Sequence, residues 1–381
     1  MHNKLPPPSA LDQRRTAFVQ PPNRPMVIVT FIGTQALGDF LGYNLVAASI
    51  AREFPGSKLA VIYRDDRPYK DFVTRINPYV TTTRRMPAEG DDKISLDWFD
   101  GRVDVPGRPF GKSWYDHGFH KPDIFLNASM STGDMTTCLW PPPTFRVPPD
   151  AVKLLASRLI SRGLDEDRWF VGVHMREIAY RWRPRINPIH NVDPQTYLPM
   201  ITRIIREQGG QVVRMGDPSM TPLPEMDGLI DLSADPDSFP EQAFATSRAR
   251  FYIGSASGPV GLPCAFKVPA AITNCFSVGV WNAGDIILTK RNVTLKGHPV
   301  TPRQLAQLSA TLYQEMFNMG LTYEDNTPDD LCAVADRLYE TTTDCTGWRE
   351  QATEVEVSPT GSVIFPMRLR DRTNIPGLVF L

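Results

Sequence analysis

The chain has 381 residues, too many for one hydrophobic core, and two domains are the expectation. With 41 Lys+Arg against 42 Asp+Glu its net charge is −1, which argues against general binding to nucleic acid or to an anionic membrane. No apolar run approaches the ~18 residues of a membrane span, and none is expected. Residues 1–25 are polar, rich in Pro and Arg, and lack the apolar core of a signal peptide, so they are expected to form a loosely ordered tail on a cytoplasmic protein. The cysteines at 138, 264, 275, 332 and 345 are odd in number and contain no C-x-x-C pair; buried thiols fit them better than a zinc site or a disulfide framework.

Residues 26–32, Met-Val-Ile-Val-Thr-Phe-Ile, are a nearly continuous apolar, β-branched run, as a strand buried on both faces of a parallel sheet requires. A turn from Gly33 to Asp39 leads into a helix reaching about Phe54, with Leu41, Leu45, Ala48 and Ala51 in helical spacing and Pro55-Gly56 as terminator. Residues 59–63 resume as a strand, giving a βαβ unit at the front of a doubly wound sheet. Residues 94–96 and 124–126 are weaker strand candidates, and 100–122, rich in Gly, Pro and aromatics, reads as a surface excursion. The prolines of 140–149 form a stiff connector.

Beyond the connector, Val152, Leu155, Ala156, Leu159 and Ile160 mark one face of a helix. A strand at 169–174 and a basic loop at 175–191 follow. Asp193-Pro194 starts a helix with the stripe Tyr197, Met200, Ile201, Ile204 and Ile205. Strands at 211–215, 229–232, 251–253 and 270–273 continue the alternation, with a helix through 241–246. Amphipathic segments at 302–319 and 328–339 come before a less regular tail. The fold class is therefore α/β, with two doubly wound Rossmann-like domains facing a cleft. Their bounds are 26–145 and 146–340, with tails at 1–25 and 341–381.

Ligands of such sheets bind beyond the carboxyl ends of the strands, where the loops 33–39, 174–191, 216–218 and 254–258 would gather. The run 249–266 carries the most specific arrangement: a strand, the loop Gly254-Ser255-Ala256-Ser257-Gly258, and Pro259 opening a short helix. Main-chain N–H groups in such a loop suit a phosphate, whereas an ordinary turn with Ser257 as N-cap is the plainer alternative. His174 and Arg176 stand two apart where their strand ends, and an arginine fork suits a diphosphate. Arg181, Arg183 and Arg185 add positive potential, and a solvated loop is the better account of Arg181 and Arg183. Asp39 either interacts with the helix dipole or accepts a proton from an acceptor hydroxyl.

Gly33-x-x-x-x-Gly38 lacks the Lys-Ser/Thr of a P-loop and is not G-x-G-x-x-G, which disfavours nucleotide hydrolysis and a nicotinamide cofactor. Asp165-Glu166-Asp167 reads as solvated and Asp235-Pro236-Asp237 as a helix cap. With no H-x-x-x-H pair either, no metal site is expected.

Taken together these segments resemble the GT-B superfamily of glycosyltransferases. Residues 26–63, with Gly38-Asp39 and Phe54-Pro55-Gly56, look like the front of the bacterial heptosyltransferases. Val173-His174-Met175-Arg176-Glu177, the run 209–218 ending Gly216-Asp217-Pro218, and 251–258 with Leu262-Pro263 look like a bacterial glycosyltransferase family related to the fucosyltransferases. The resemblance implies a nucleotide-diphosphate sugar held by the C-terminal domain through His174, Arg176, Gly216, Asp217, Ser255, Ala256, Ser257 and Gly258. It implies a saccharide or small-molecule acceptor beside Gly38 and Asp39, with Asp39 as catalytic base. The expected activity is metal-independent inverting glycosyl transfer without a cofactor; the alternatives are a non-catalytic nucleotide or sugar-phosphate binder and a metal-dependent transferase. Two departures from the heptosyltransferase pattern leave the sugar open: an Arg-rich loop replaces a Lys-bearing one, and no acidic ribose-binding residue stands near Met220.

Overall fold

The computed structural model describes residues 25–88, 93–95, 102–104, 124–127, 143–177, 188–275, 286–300, 318–342, 356–357 and 363–366. The chain forms two compact units, Met1–Arg146 and Val147–Leu381. The expected features at 1–24, 105–122, 181–185 and 302–317 lie outside the described residues, as do Cys138 and Cys345.

The first unit contains β1 (Val27–Ile32), α1 (Leu37–Glu53), β2 (Lys58–Arg64), α2 (Tyr69–Ile76), β3 (Val80–Met86), β4 (Lys93–Ser95), β5 (Arg102–Asp104) and β6 (Ile124–Asn127). A parallel sheet runs in the order β3-β2-β1-β6, and β4 and β5 pair antiparallel. Every residue of β1 is buried, as its apolar composition requires of a central strand. α1 is buried more widely than the expected stripe: Phe40, Val46, Ala47 and Ile50 are inside along with Leu41, Leu45, Ala48 and Ala51. The buried Asn44 is satisfied within the helix, its amide donating to the Phe40 carbonyl at 2.9 Å, and its own carbonyl accepts from Asn77 at 3.3 Å. Gly56 follows the helix at φ +82°, a left-handed conformation that costs glycine little.

The second unit opens with α3 (Pro149–Ser161) and β7 (Phe170–His174). One-turn 3₁₀ segments at Pro188–His190 and Pro194–Tyr197 precede α4 (Leu198–Arg206), β8 (Gln211–Met215), β9 (Leu229–Asp231), α5 (Phe239–Arg248) and β10 (Tyr252–Ser255). After the 3₁₀ turn Gly258–Val260 come α6 (Gly261–Phe266), β11 (Ala270–Cys275), β12 (Ile286–Thr289), β13 (Arg291–Leu295), β14 (His298–Pro299), β15 (Leu321–Glu324) and α7 (Pro328–Thr341). The last strands are β16 (Glu356–Val357) and β17 (Val363–Pro366). The main sheet is ordered β16-β17-β12-β11-β10-β7-β8-β9. It is parallel from β9 to β12 and antiparallel at β17 and β16. β14, β13 and β15 form a separate antiparallel sheet.

Val171, Val173, Ile253 and Ala271 pack with Met200, Ile201 and Ile204 of α4 and Leu331, Val334 and Leu338 of α7. Each large aliphatic side chain there contributes about 1.5–3 kcal/mol by leaving water. α7 begins with a capping box, Thr327 with Asp330. Its far end is held by Arg250, whose guanidinium lies 4.7 Å from the Trp169 ring centre and 4.4 Å from that of Tyr339.

Some details differ from expectation. On α3 only Leu155 and Leu159 are buried, while Ile160 is 43% exposed, because the helix meets α5 along a narrow strip. The region after 341 contributes β16 and β17, which extend the main sheet at β12.

Candidate functional site

In the second unit the parallel register sets His174 beside Gly254, bringing the ends of β7 and β10 together. Two residues beyond His174 the chain is pinned: the Arg176 N–H donates to Ser255 Oγ at 2.7 Å, and the Arg176 carbonyl accepts from Val192 N–H at 2.9 Å. Ser255 is fully buried, so its hydroxyl fixes the arginine's main chain and is not presented to solvent. Ser257 and Gly258, partly exposed, continue the loop. Ser257 is extended (φ −154°, ψ 170°) and sits at the N-cap position of the 3₁₀ turn, yet its side chain makes no capping bond. Its hydroxyl is therefore not used as a helix cap. Ala256 is 6% exposed and contributes backbone only. Glycine at 254 is required by packing: a Cβ there would come within 2.8 Å of the Tyr252 ring.

The loop after β8 is equally fixed. Gly216 N–H donates to Gln242 Oε1 at 3.2 Å and its carbonyl accepts from Gln242 Nε2 at 2.8 Å. A Cβ at 216 would press on the Met220 side chain. Asp217 Oδ1 accepts from Ser219 N–H at 2.8 Å and from its hydroxyl at 2.5 Å, a local turn. Gly216 and Asp217 thus shape the loop; both polar groups of the Gly216 backbone are already used.

Sequence reasoning missed Glu177, Arg214 and Gln242. Arg214 is fully buried, with Nη2 donating to Glu177 Oε1 at 2.9 Å and to the Thr221 carbonyl at 2.8 Å, and Nη1 donating to Asp231 Oδ2 at 2.8 Å. Glu177 Oε2 accepts from Thr221 N–H at 2.9 Å. The available signal was a charged residue inside the apolar run Val212-Val213-Arg214-Met215.

His174 is 3% exposed, and its Nδ1 lies 3.1 Å from the Met215 carbonyl. A carbonyl only accepts, so Nδ1 carries the proton and Nε2 is the bare nitrogen, buried without a protein partner. Burial, ahead of every other influence, pulls its pKa from 6.5 down to about 4. The sign follows directly: from pH 6.5 to about 4 the unfolded chain takes up a proton that the folded chain refuses, so stability present above 6.5 is lost on acidification. Wild-type protein is expected to lose roughly 2–3 kcal/mol through this group between pH 7 and 4.5. His174→Asn, which keeps a donor for Met215 and does not titrate, should lose correspondingly less by chemical denaturation at the two pH values. Equal losses would place the acid sensitivity elsewhere.

His190 lies near both Arg176 and Lys290. Burial draws His190 down to about 4, with Arg176 and then Lys290 adding to the effect. Lys290, its side chain fully buried, pairs with Asp325 and lies 4.6 Å from the Tyr323 ring centre.

In the first unit Gly38 and Asp39 occupy the first turn of α1, beyond the carboxyl end of β1. Asp39 is exposed and accepts a long hydrogen bond, 3.4 Å, from Thr34 Oγ1. No side chain caps this helix start, so Asp39 is the carboxylate nearest its free amides. The preceding loop is fastened by Tyr69, whose hydroxyl donates to the Gln35 carbonyl at 2.6 Å. Behind it a buried ion pair, Lys70 with Asp66 at 2.6 Å, packs 5.2 Å from the Phe40 ring centre. Burial lowers the Lys70 pKa, with Asp66 acting in the opposite direction.

The acidic runs are structural or solvated. Asp165, Glu166 and Asp167 are exposed, while Asp235 pairs with Arg162 and accepts from Asp237 N–H at 2.9 Å. The N-cap of α5 is Ser238, not either aspartate. Among the described residues no group of three or more His, Cys, Asp or Glu is placed to hold a metal ion, and no helix is long and apolar enough to cross a membrane. An open depression of about 410 Å³ flanks β9, lined by Leu223, Glu225, Met226, Asp227, Leu229 and Asp231; it includes none of the expected site residues.

No protein-family model matches the chain, and no curated protein matches it. Among solved structures it is similar to a glycosyl transferase of family 9 from Veillonella parvula, with a TM-score of 0.57, 13% identity, and coverage of 83% of this chain and 97% of that one. It also aligns with the ADP-heptose LPS heptosyltransferase II of E. coli (TM-score 0.42, 13% identity, 77% and 98% covered). A third alignment is with the dodecameric iron-containing heptosyltransferase TibC of enterotoxigenic E. coli (TM-score 0.45, 13% identity, 84% and 77% covered). The chain thus has an α/β fold with parallel sheets in two units, shared with the family 9 glycosyl transferase structure.

Proposed function

We propose that this protein is a glycosyltransferase that moves a sugar from a nucleotide-diphosphate donor to an acceptor hydroxyl, without a metal ion and with inversion. The observation that carries this reading is the hydrogen bond from Arg176 N–H to Ser255 Oγ, which ties the Arg176 main chain to the loop after β10. The fold shared with a family 9 glycosyl transferase supports the reaction class. In this reading Arg176 and the Ser257 amide meet the diphosphate and neutralise the charge that grows on it as the sugar leaves, the task a divalent cation performs elsewhere. Asp39 takes the proton from the acceptor hydroxyl, whose oxygen attacks the anomeric carbon from the side opposite the leaving group. A single displacement of this kind inverts the anomeric centre.

The test is a panel of nucleotide sugars, scored for nucleoside-diphosphate release and sugar transfer in excess chelator. Turnover that persists supports the proposal. Complete loss restored by Mg²⁺ or Mn²⁺ would overturn the metal-free mechanism, and nucleotide binding without turnover across the panel would mark a non-catalytic binder.

A further inference from the structure

We propose that Glu177 is a positioning residue for the diphosphate, acting through the main chain of its neighbour Arg176; the inference rests on the donor site proposed above. Four strand-end loops meet here, joined by two sets of hydrogen bonds that the 176–177 backbone links. From the loop after β7, Glu177 binds Arg214 through one oxygen and the Thr221 N–H, in the loop after β8, through the other. Arg214 passes the connection to the Thr221 carbonyl and to Asp231 at the end of β9. The second oxygen of Asp231 takes the Ser233 N–H at 2.9 Å and its hydroxyl at 2.6 Å. The loop after β10 joins through Ser255 Oγ, which holds the Arg176 N–H, one residue from where the set began.

Burying this much charge gains little as stability, since a buried ion pair commonly does no better than packed apolar side chains. The side-chain bonds of Arg214 go to Glu177 and Thr221 in two loops and to Asp231 at the end of β9. Glu177 is 4% exposed, and Arg214 and Thr221 occupy its two oxygens, so it does not itself contact an anion. What the arrangement supplies is a fixed spacing between the Arg176 backbone and the neighbouring loops before any ligand arrives, the preorganisation an anion site needs.

A double-mutant cycle on the full chain tests this, with Glu177→Gln, Arg176→Ala and both together, titrated with inorganic pyrophosphate and with ADP, GDP and UDP. Glu177→Gln is expected to weaken diphosphate binding at least tenfold when Arg176 is present and less than twofold when it is alanine. Equal losses in both backgrounds, or no loss in either, would overturn the inference while the donor site stands. A wild-type chain that binds none of the four probes would overturn the donor site and this inference together. Hydrogen exchange on the free protein reads the same question without ligand. Glu177→Gln should speed exchange at 175–177 and 216–221 and leave β7 and β10 protected, whereas faster exchange throughout the sheet would make Glu177 a stability residue and overturn the proposal.

Discussion

Replacing Arg176 by alanine is expected to weaken nucleoside-diphosphate binding by about a hundredfold. The size follows from losing one or two charge-assisted hydrogen bonds at about 1.5–3 kcal/mol each, with 1.4 kcal/mol per factor of ten. Two bonds of Arg176 survive this change. Its N–H bond to Ser255 and its carbonyl bond from Val192 belong to the main chain, and alanine keeps both. Arg176→Lys should recover only part of the affinity, because an ammonium keeps the charge but not the planar fork. Calorimetric titration against a nucleoside diphosphate decides it. An unchanged affinity in the alanine variant would place the clamp elsewhere and remove the main support for the donor site.

Local apolar patterning made the frame of the fold legible. The run at 26–32, the glycine turn and the helix beyond it appear as β1 and α1, and Phe251-Tyr252-Ile253 with Gly254 to Pro259 became β10 and its loop. These segments are buried on both faces, so their composition is set by the sheet itself. β3 escaped for the opposite reason: as an edge strand it tolerates Val-Thr-Thr-Thr-Arg-Arg-Met, with no apolar run to notice. α2, at eight residues, is too short to show a period clearly. At the site, the juxtaposition of Arg176 with the 254–258 loop was legible because parallel strands bring their carboxyl ends together. The partners were not. Ser255 reads as a phosphate ligand in the sequence and proves to be a buried bracket, since a hydroxyl's target depends on strand register. Glu177 and Arg214 are 37 positions apart, and only the β7–β8 pairing makes them neighbours.

Asp39→Asn is expected to lower turnover by about 10²–10⁴-fold and leave nucleoside-diphosphate affinity within about twofold, because a general base acts on the acceptor proton and not on the donor. Two roles for this carboxylate were open from sequence, and they predict different observables. At the start of α1, where no side chain caps the helix, a negative charge favours the helix by about 0.3–1 kcal/mol. Asparagine abolishes that interaction along with the basicity, so a pure dipole role would lower the melting temperature slightly and leave the rate per folded molecule intact. A catalytic role collapses the rate at nearly constant stability. Asp39 is exposed, and Thr34 Oγ1 donates to it at 3.4 Å. Asparagine matches aspartate in size and shape, and Thr34→Val, which removes that long hydrogen bond, should change turnover by no more than a few fold. Steady-state rates of sugar transfer, with melting curves on the same preparations, separate the outcomes. Full activity in Asp39→Asn would take Asp39 out of the mechanism and require the acceptor proton to leave by another group.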